Sequence, residues 1–198
     1  MSMCHKAYVF DTSSFEKELS ELIITSGNAA NTDALKEFIN SHIGEVKSVY
    51  TGDLLSYDWE KEIESGTVQE FADFAMTCYY SPEDEIGLSY SWDPLLEVLS
   101  MLPTSFEPYY YVLGRALESK MFQLNPGGMG LGFVYAEDIS SIYNELVNLK
   151  QNLIDAGMPQ SSDVIYDITL AELIEAYDEL ISLYKKAQEI NQGLLMTF

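Results

Sequence analysis

The chain has 198 residues, 47% hydrophobic and 21% charged, which places it among globular proteins rather than disordered acidic tails. Ten Lys and Arg against 32 Asp and Glu give a formal net charge of −22, a field that repels nucleic acids and anionic lipids because both are bound by neutralising phosphates. Arg115 is the single arginine, so bidentate phosphate recognition has almost no material to work with.

At this size roughly 70% of the unfolded surface can be buried, so one domain over 1–198 is expected to form its core without disulfides or metal. Cys4 and Cys78 belong to no CxxC or Cys/His cluster and read as free thiols in a reducing compartment. MSMCHKAYVFD lacks a basic segment followed by a long apolar run, so a cytoplasmic location is expected. LLEVLSML (95–102) is far shorter than the ~18 apolar residues that span a bilayer, and no membrane crossing is expected.

KAYVF (6–10) is rich in strand formers and runs into Asp11-Thr12-Ser13, where Ser13 with Glu16 forms a capping-box pattern. Phe15, Leu19, Leu22 and Ile23 then recur at helical spacing. SGNAANTD (26–33) reads as a loop, followed by a helix carrying Leu35, Phe38, Ile39 and Ile43 that stops at Gly44. Residues 45–66 hold apolar groups with no clean period and read as mixed structure. Thr67 with Glu70 is a second capping box, opening a helix that buries Val68, Phe71, Phe74, Ala75 and Cys78 and ends before Ser81-Pro82.

IGLSYSW (86–92) alternates as a strand, and Asp93-Pro94 looks like a helix cap followed by proline at the first helical position. The run 107–124 favours helix over 108–119. After NPGGMGLG (125–132), GFVY suggests a short strand, and Asp138 caps a helix with Ile139, Ile142, Tyr143, Leu146, Leu149 and Leu153 at helical spacing up to Gly157. DVIYDI (163–168) reads as extended. Thr169 with Glu172 is the third capping box and opens the clearest amphipathic helix, with Leu170, Leu173, Ile174, Tyr177, Leu180, Ile181, Tyr184 and Ala187 on one face. Gly193 ends it, and LLMTF (194–198) reads as a strand that returns beside KAYVF. The sum is a helix-rich α+β domain with a small sheet for which both terminal strands are candidates.

The opening strand running into an acidic helix, and the closing ELISLYKKAQEINQGLLMTF, resemble the YfbM-like family of small acidic bacterial proteins of unknown function. The resemblance covers about the first 25 and last 30 residues by pattern. It implies an α+β fold and a cytoplasmic bacterial source, and it carries no site residues with it.

Gly127, Gly128, Gly130 and Gly132 fit neither GxGxxG nor GxxxxGK[ST] and lead into a strand, so a tight turn is expected rather than a phosphate cradle. His5 and His42 are the only histidines, and no metal site or cofactor is expected from them, from Cys4 or from Cys78. SPEDEIGLSYSWD (81–93) lacks the DxDxDG spacing of a calcium loop. No GxSxG or catalytic cysteine signature occurs, and paired carboxylates are too abundant to single out a catalytic pair.

One region rises above this background. From Glu62 to Gly114 there is no Lys, Arg or His, while carboxylates and aromatic rings alternate throughout. Glu83, Asp84, Glu85, Tyr90, Trp92 and Asp93 are the candidates for a surface that captures a basic protein, with charge steering encounter and rings supplying anchor area. The opposing reading puts the rings in the core and leaves the acids as a solvated exterior. The function expected is an acidic protein-binding module, such as an immunity-type inhibitor or regulator of a basic protein. The alternatives are a hydrolase with a carboxylate-lined, divalent-dependent cleft, and acidity that serves only solubility or salt tolerance.

Overall fold

A computed structural model describes residues 3–117, 131–159 and 164–198. Strands β1 (His5–Phe10), β2 (Ile86–Ser89), β3 (Gly132–Val134) and β4 (Gly193–Thr197) form one sheet in the order β2-β1-β4-β3, each neighbouring pair antiparallel. The two terminal strands lie side by side at its centre, with Tyr8 opposite Leu195. The fold is α+β, as the element pattern implies, and the sheet does include both terminal strands.

Helices cover both faces of this sheet. Ala7, Leu88, Val134, Leu194 and Met196 point into a core shared with α5 (Trp92–Ser100), α6 (Pro108–Leu113), α7 (Ala136–Ala156) and α8 (Leu170–Glu189). Tyr8, Phe10, Phe133 and Leu195 point the other way, into a second core with α1 (Thr12–Glu18), α2 (Ser20–Ala29), α3 (Asp33–Ser41) and α4 (Val68–Met76). Burial on both sides explains why KAYVF and LLMTF are near-continuous apolar runs instead of alternating ones. Phe15 stacks on Phe133 at 4.8 Å and meets Phe10 edge-on at 5.2 Å, an aromatic centre for the second core. In the first, Tyr177 Oη donates to Leu146 O (2.7 Å) and Tyr184 Oη to Tyr111 O (2.8 Å), so α8 is tied to α7 and α6 by buried hydroxyls that are fully satisfied.

Several local boundaries differ from those read in the sequence. The cap of α1 is Asp11, whose carboxylate accepts from Ser14 N and Ser14 Oγ, so Ser13 and Glu16 do not form the box. The helix expected through Leu22 is divided at Leu19 into α1 and α2, and α2 runs on to Ala29, with Ser26 and Gly27 buried, where a loop was expected. Residues 86–92 are strand only to Ser89; Trp92 already begins α5, and Asp93 and Pro94 lie within its first turn. Helix α6 ends at Leu113 rather than 119, because Gly114 (φ +72°) turns the chain against β3 so closely that a Cβ there would lie 2.6 Å from Phe133 N. Asp138 sits in the first turn of α7 rather than at its cap, which is Tyr135. Residues 164–169 form no strand; Tyr166 and Ile168 pack on the first core instead. The glycines at 127, 128 and 130 lie outside the described residues, whereas Gly132 begins β3. Among the described residues, no helix is long and apolar enough to cross a membrane.

Candidate functional site

Charge distribution is the starting point for any site on this fold. Among the described residues Glu70 is the only fully buried carboxylate, so the negative charge is carried on the surface. The positive charges are used individually. Arg115 lies over the Tyr110 ring at 4.2 Å and reaches Asp138 at 3.7 Å, and Lys150 pairs with Asp178 at 2.6 Å.

Glu83 and Asp84 belong to a short 3₁₀ turn, Pro82–Asp84, and Glu85 leads into the edge strand β2, so three exposed carboxylates share one corner. That corner is base-free in sequence and not in space. Lys47 Nζ bonds Glu83 at 2.6 Å and Ser81 Oγ at 3.0 Å, and its ammonium holds the Glu83 carboxyl below its usual value. Lys6, from β1, bonds Glu85 at 2.8 Å. The Tyr8 hydroxyl also donates to Glu85 (3.2 Å), and burial, with the Glu85 charge, raises that phenol above its ordinary value.

Tyr90, Trp92 and Asp93 sit at the far end of β2. Tyr90 is 43% exposed and its ring lies 5.0 Å from that of Tyr166. Trp92 is a core ring, 7% exposed, whose indole N–H donates to Met3 O (2.9 Å) while its face meets Phe198 edge-on. Asp93 accepts from Ile165 N. The six residues thus form an acidic corner and a separate aromatic end tied to 165–166, not one constellation.

Next to the acidic corner is an open cleft of about 380 Å³, lined by Lys47, Cys78, Tyr80, Asp84, Lys186 and Gln192 among others. Burial, then the charges of Glu45 and Glu18, pushes the Cys78 thiol up to about 12, so it is neutral and not a nucleophile near pH 7. A groove of about 330 Å³ runs along α1 and α2, lined by Glu16, Glu18 and Glu21 with Lys17.

The histidines serve the fold. His5 Nε2–H donates to Val112 O (2.7 Å) and Nδ1 accepts from Leu88 N (3.2 Å), which fixes a neutral tautomer; burial lowers its pKa to about 4 against the Val112 bond. His42 lies on Phe38 at 4.0 Å with Nδ1 2.8 Å from Phe38 O. Among the described residues no three His, Cys, Asp or Glu side chains are grouped to hold a metal ion.

The sequence pattern named Glu70 only as half of a capping box and did not single out Asp73. Thr67 caps α4 through Glu70 N, yet the Glu70 carboxylate turns away from its reciprocal partner. It accepts instead from Glu64 N (2.6 Å), Ser65 N (2.8 Å), Gly66 N (2.7 Å), Ser65 Oγ (2.7 Å) and Tyr50 Oη (2.7 Å). Burial alone would raise this carboxyl; the donors outweigh it and hold it at about 2. One turn on, burial pushes Asp73 up to about 7 against a 2.7 Å hydrogen bond from Gln69 Nε2, with the Glu70 charge adding to the rise. The i, i+4 spacing of Gln69 and Asp73 was visible in the sequence; the burial that perturbs Asp73 was not.

Compared with known proteins, the chain matches no protein-family model, no curated protein and no solved structure.

Proposed function

We propose that this chain is an acidic protein-binding module that captures a basic protein, as an immunity-type inhibitor or regulator would. One observation carries the reading: a net charge of −22 borne mainly on the surface of the fold. Such a field accelerates encounter with a cationic partner and repels nucleic acid and anionic membranes. The resemblance of the chain ends to the YfbM-like proteins supports a bacterial, cytoplasmic setting for that role. The test is capture from lysate at low ionic strength, identification of what is retained, and titration of the purified partner. Affinity for a basic protein should fall steeply as salt rises, because steering is screened over ~10 Å at 0.1 M. Retention of no basic protein at low salt defeats the reading.

A carboxylate-dependent hydrolase is the second reading, favoured by the contrast between Glu70, held near 2, and Asp73, raised to about 7. It ranks lower because Glu70 is committed to five donors from its own chain, leaving no lone pair directed to a substrate.

A further inference from the structure

Residues 50–64 connect the loop after α3 to the cap of α4, and they expose more large apolar surface than their burial pattern needs. Tyr57 is 94% exposed, Leu54 58% and Tyr50 51%, all within eight residues. Their neighbours are inside: Leu55 is 4% exposed and Trp59 1%. An isolated exposed apolar residue is ordinary, but three together on one short segment mark an interaction surface.

The segment is also held in place. Ser48 N donates to Asp53 O (2.8 Å), Gly52 N to Ser48 O (2.9 Å) and Leu55 N to Val46 O (2.9 Å). The indole N–H of Trp59 donates to Asn40 Oδ1 (2.9 Å) and its ring meets Phe71 edge-on. Glu70 grips both ends of the segment, Tyr50 on one side and the backbone of 64–66 on the other. Leu54 and Tyr57 are therefore presented on anchored backbone, which lowers the ordering cost of binding.

The surroundings specify the occupant's charge. Asp53, Asp58, Glu60, Glu62 and Glu64 stand against Lys61 alone, and Lys61 is bound to Asp58 at 2.5 Å. We propose that 50–64 is the docking surface for the basic protein, with Leu54 and Tyr57 entering an apolar recess that the partner rims with lysine or arginine. This rests on the functional reading above and adds to it where the partner binds and by which side chains.

The test uses the full-length chain and two cationic peptides of equal charge, one built of lysine and leucine, the other with serine replacing leucine. At low salt the parent should bind the Lys/Leu peptide at least ~10-fold more tightly than the Lys/Ser peptide, the scale of an anchor contact. In L54A/Y57A that preference should vanish while Lys/Ser affinity stays within about 2-fold, since rim charge is unchanged. Circular dichroism and the unfolding midpoint confirm the fold; if the double variant unfolds, Y57A alone carries the test, its side chain being 94% exposed. Persistence of the preference in the variant, or equal binding of both peptides by the parent, overturns the assignment to 50–64 and leaves the acidic-module reading standing. Failure of the parent to bind either peptide defeats that reading itself.

Discussion

Replacing Glu70 with glutamine isolates the α4 carboxylate that its surroundings hold ionised. The side chain keeps its size, loses its charge, and places an NH₂ where five donors now converge. The magnitude follows from its pKa. A carboxyl that titrates near 4.5 when unfolded and at about 2 when folded stabilises the native state by about 3 kcal/mol at pH 7, at ~1.4 kcal/mol per pKa unit. E70Q should lose roughly that amount, lowering the thermal midpoint by about 6–12 °C at ~2–4 °C per kcal/mol for a chain of this size. The pH dependence distinguishes this cause from simple mispacking. Because the folded pKa is depressed, the contribution is complete above about 4.5 and fades as pH falls towards 2. The parent and E70Q should therefore differ most near neutrality and converge in acid. Urea unfolding at pH 7 and at pH 3 measures both differences; E70Q within ~0.5 kcal/mol of the parent at pH 7 would refute the clamp.

Asp73 should behave in the opposite sense. Its folded pKa is raised from 3.8 to about 7, so stability is fully present below about 3.8 and is lost as pH rises through 7. D73N removes the buried charge and adds a donor beside Gln69 Oε1, a buried acceptor with no partner among the described residues. The variant should be more stable than the parent by about 1–3 kcal/mol at pH 8 and equal to it near pH 4, read from paired urea titrations. A D73N that is less stable at pH 8 contradicts the assignment. His5 should stay neutral well below ordinary histidine values, with an NMR titration midpoint near 4. Its contribution to stability is then present above about 6.5 and fades as pH falls towards 4; a midpoint near 6.5 would show that the Val112 and Leu88 bonds do not hold in solution.

What the sequence showed and what it hid follow the range of the interactions involved. The capping box of Thr169 and Glu172 is formed as the four-residue pattern predicts, and α7 and α8 bury most of the periodic residues named for them, while Tyr143, Ile174 and Ile181 are half-buried and Leu170 is exposed. The terminal strands pair as expected because LLMTF and KAYVF are apolar enough to be covered on both faces. Where several nearby groups compete for the same backbone donors, the simple capping pattern misleads. Asp11 outcompetes Ser13 for the start of α1, and Glu70 satisfies backbone at 64–66 in preference to Thr67 N. Residues 45–66 had no period because their apolar side chains are divided between core and solvent: Leu55 and Trp59 go in, Leu54 and Tyr57 go out. No helical or strand spacing encodes that division. The acidic corner was legible as charge alone, since its lysine partners come from 36 and 79 residues away in the chain.

That pairing determines which acids a partner can use. A lysine arriving at Glu83 or Glu85 meets a carboxylate already holding Lys47 or Lys6, so it exchanges one solvent-screened surface ion pair for another with little net gain. At 53–64 the acids other than Asp58 have no ion-pair partner among the described residues, so an incoming cation adds attraction without displacing one. The apolar anchors lie in this same segment, where covering Tyr57 and Leu54 removes surface from water that folding left exposed. Charge would draw the proposed basic partner to many parts of this protein, but net stabilisation of the encounter would be concentrated where unpaired carboxylates flank the exposed Leu54 and Tyr57. On the proposed reading, the corner at 83–85 would contribute to the approach and the segment at 50–64 would hold what arrives.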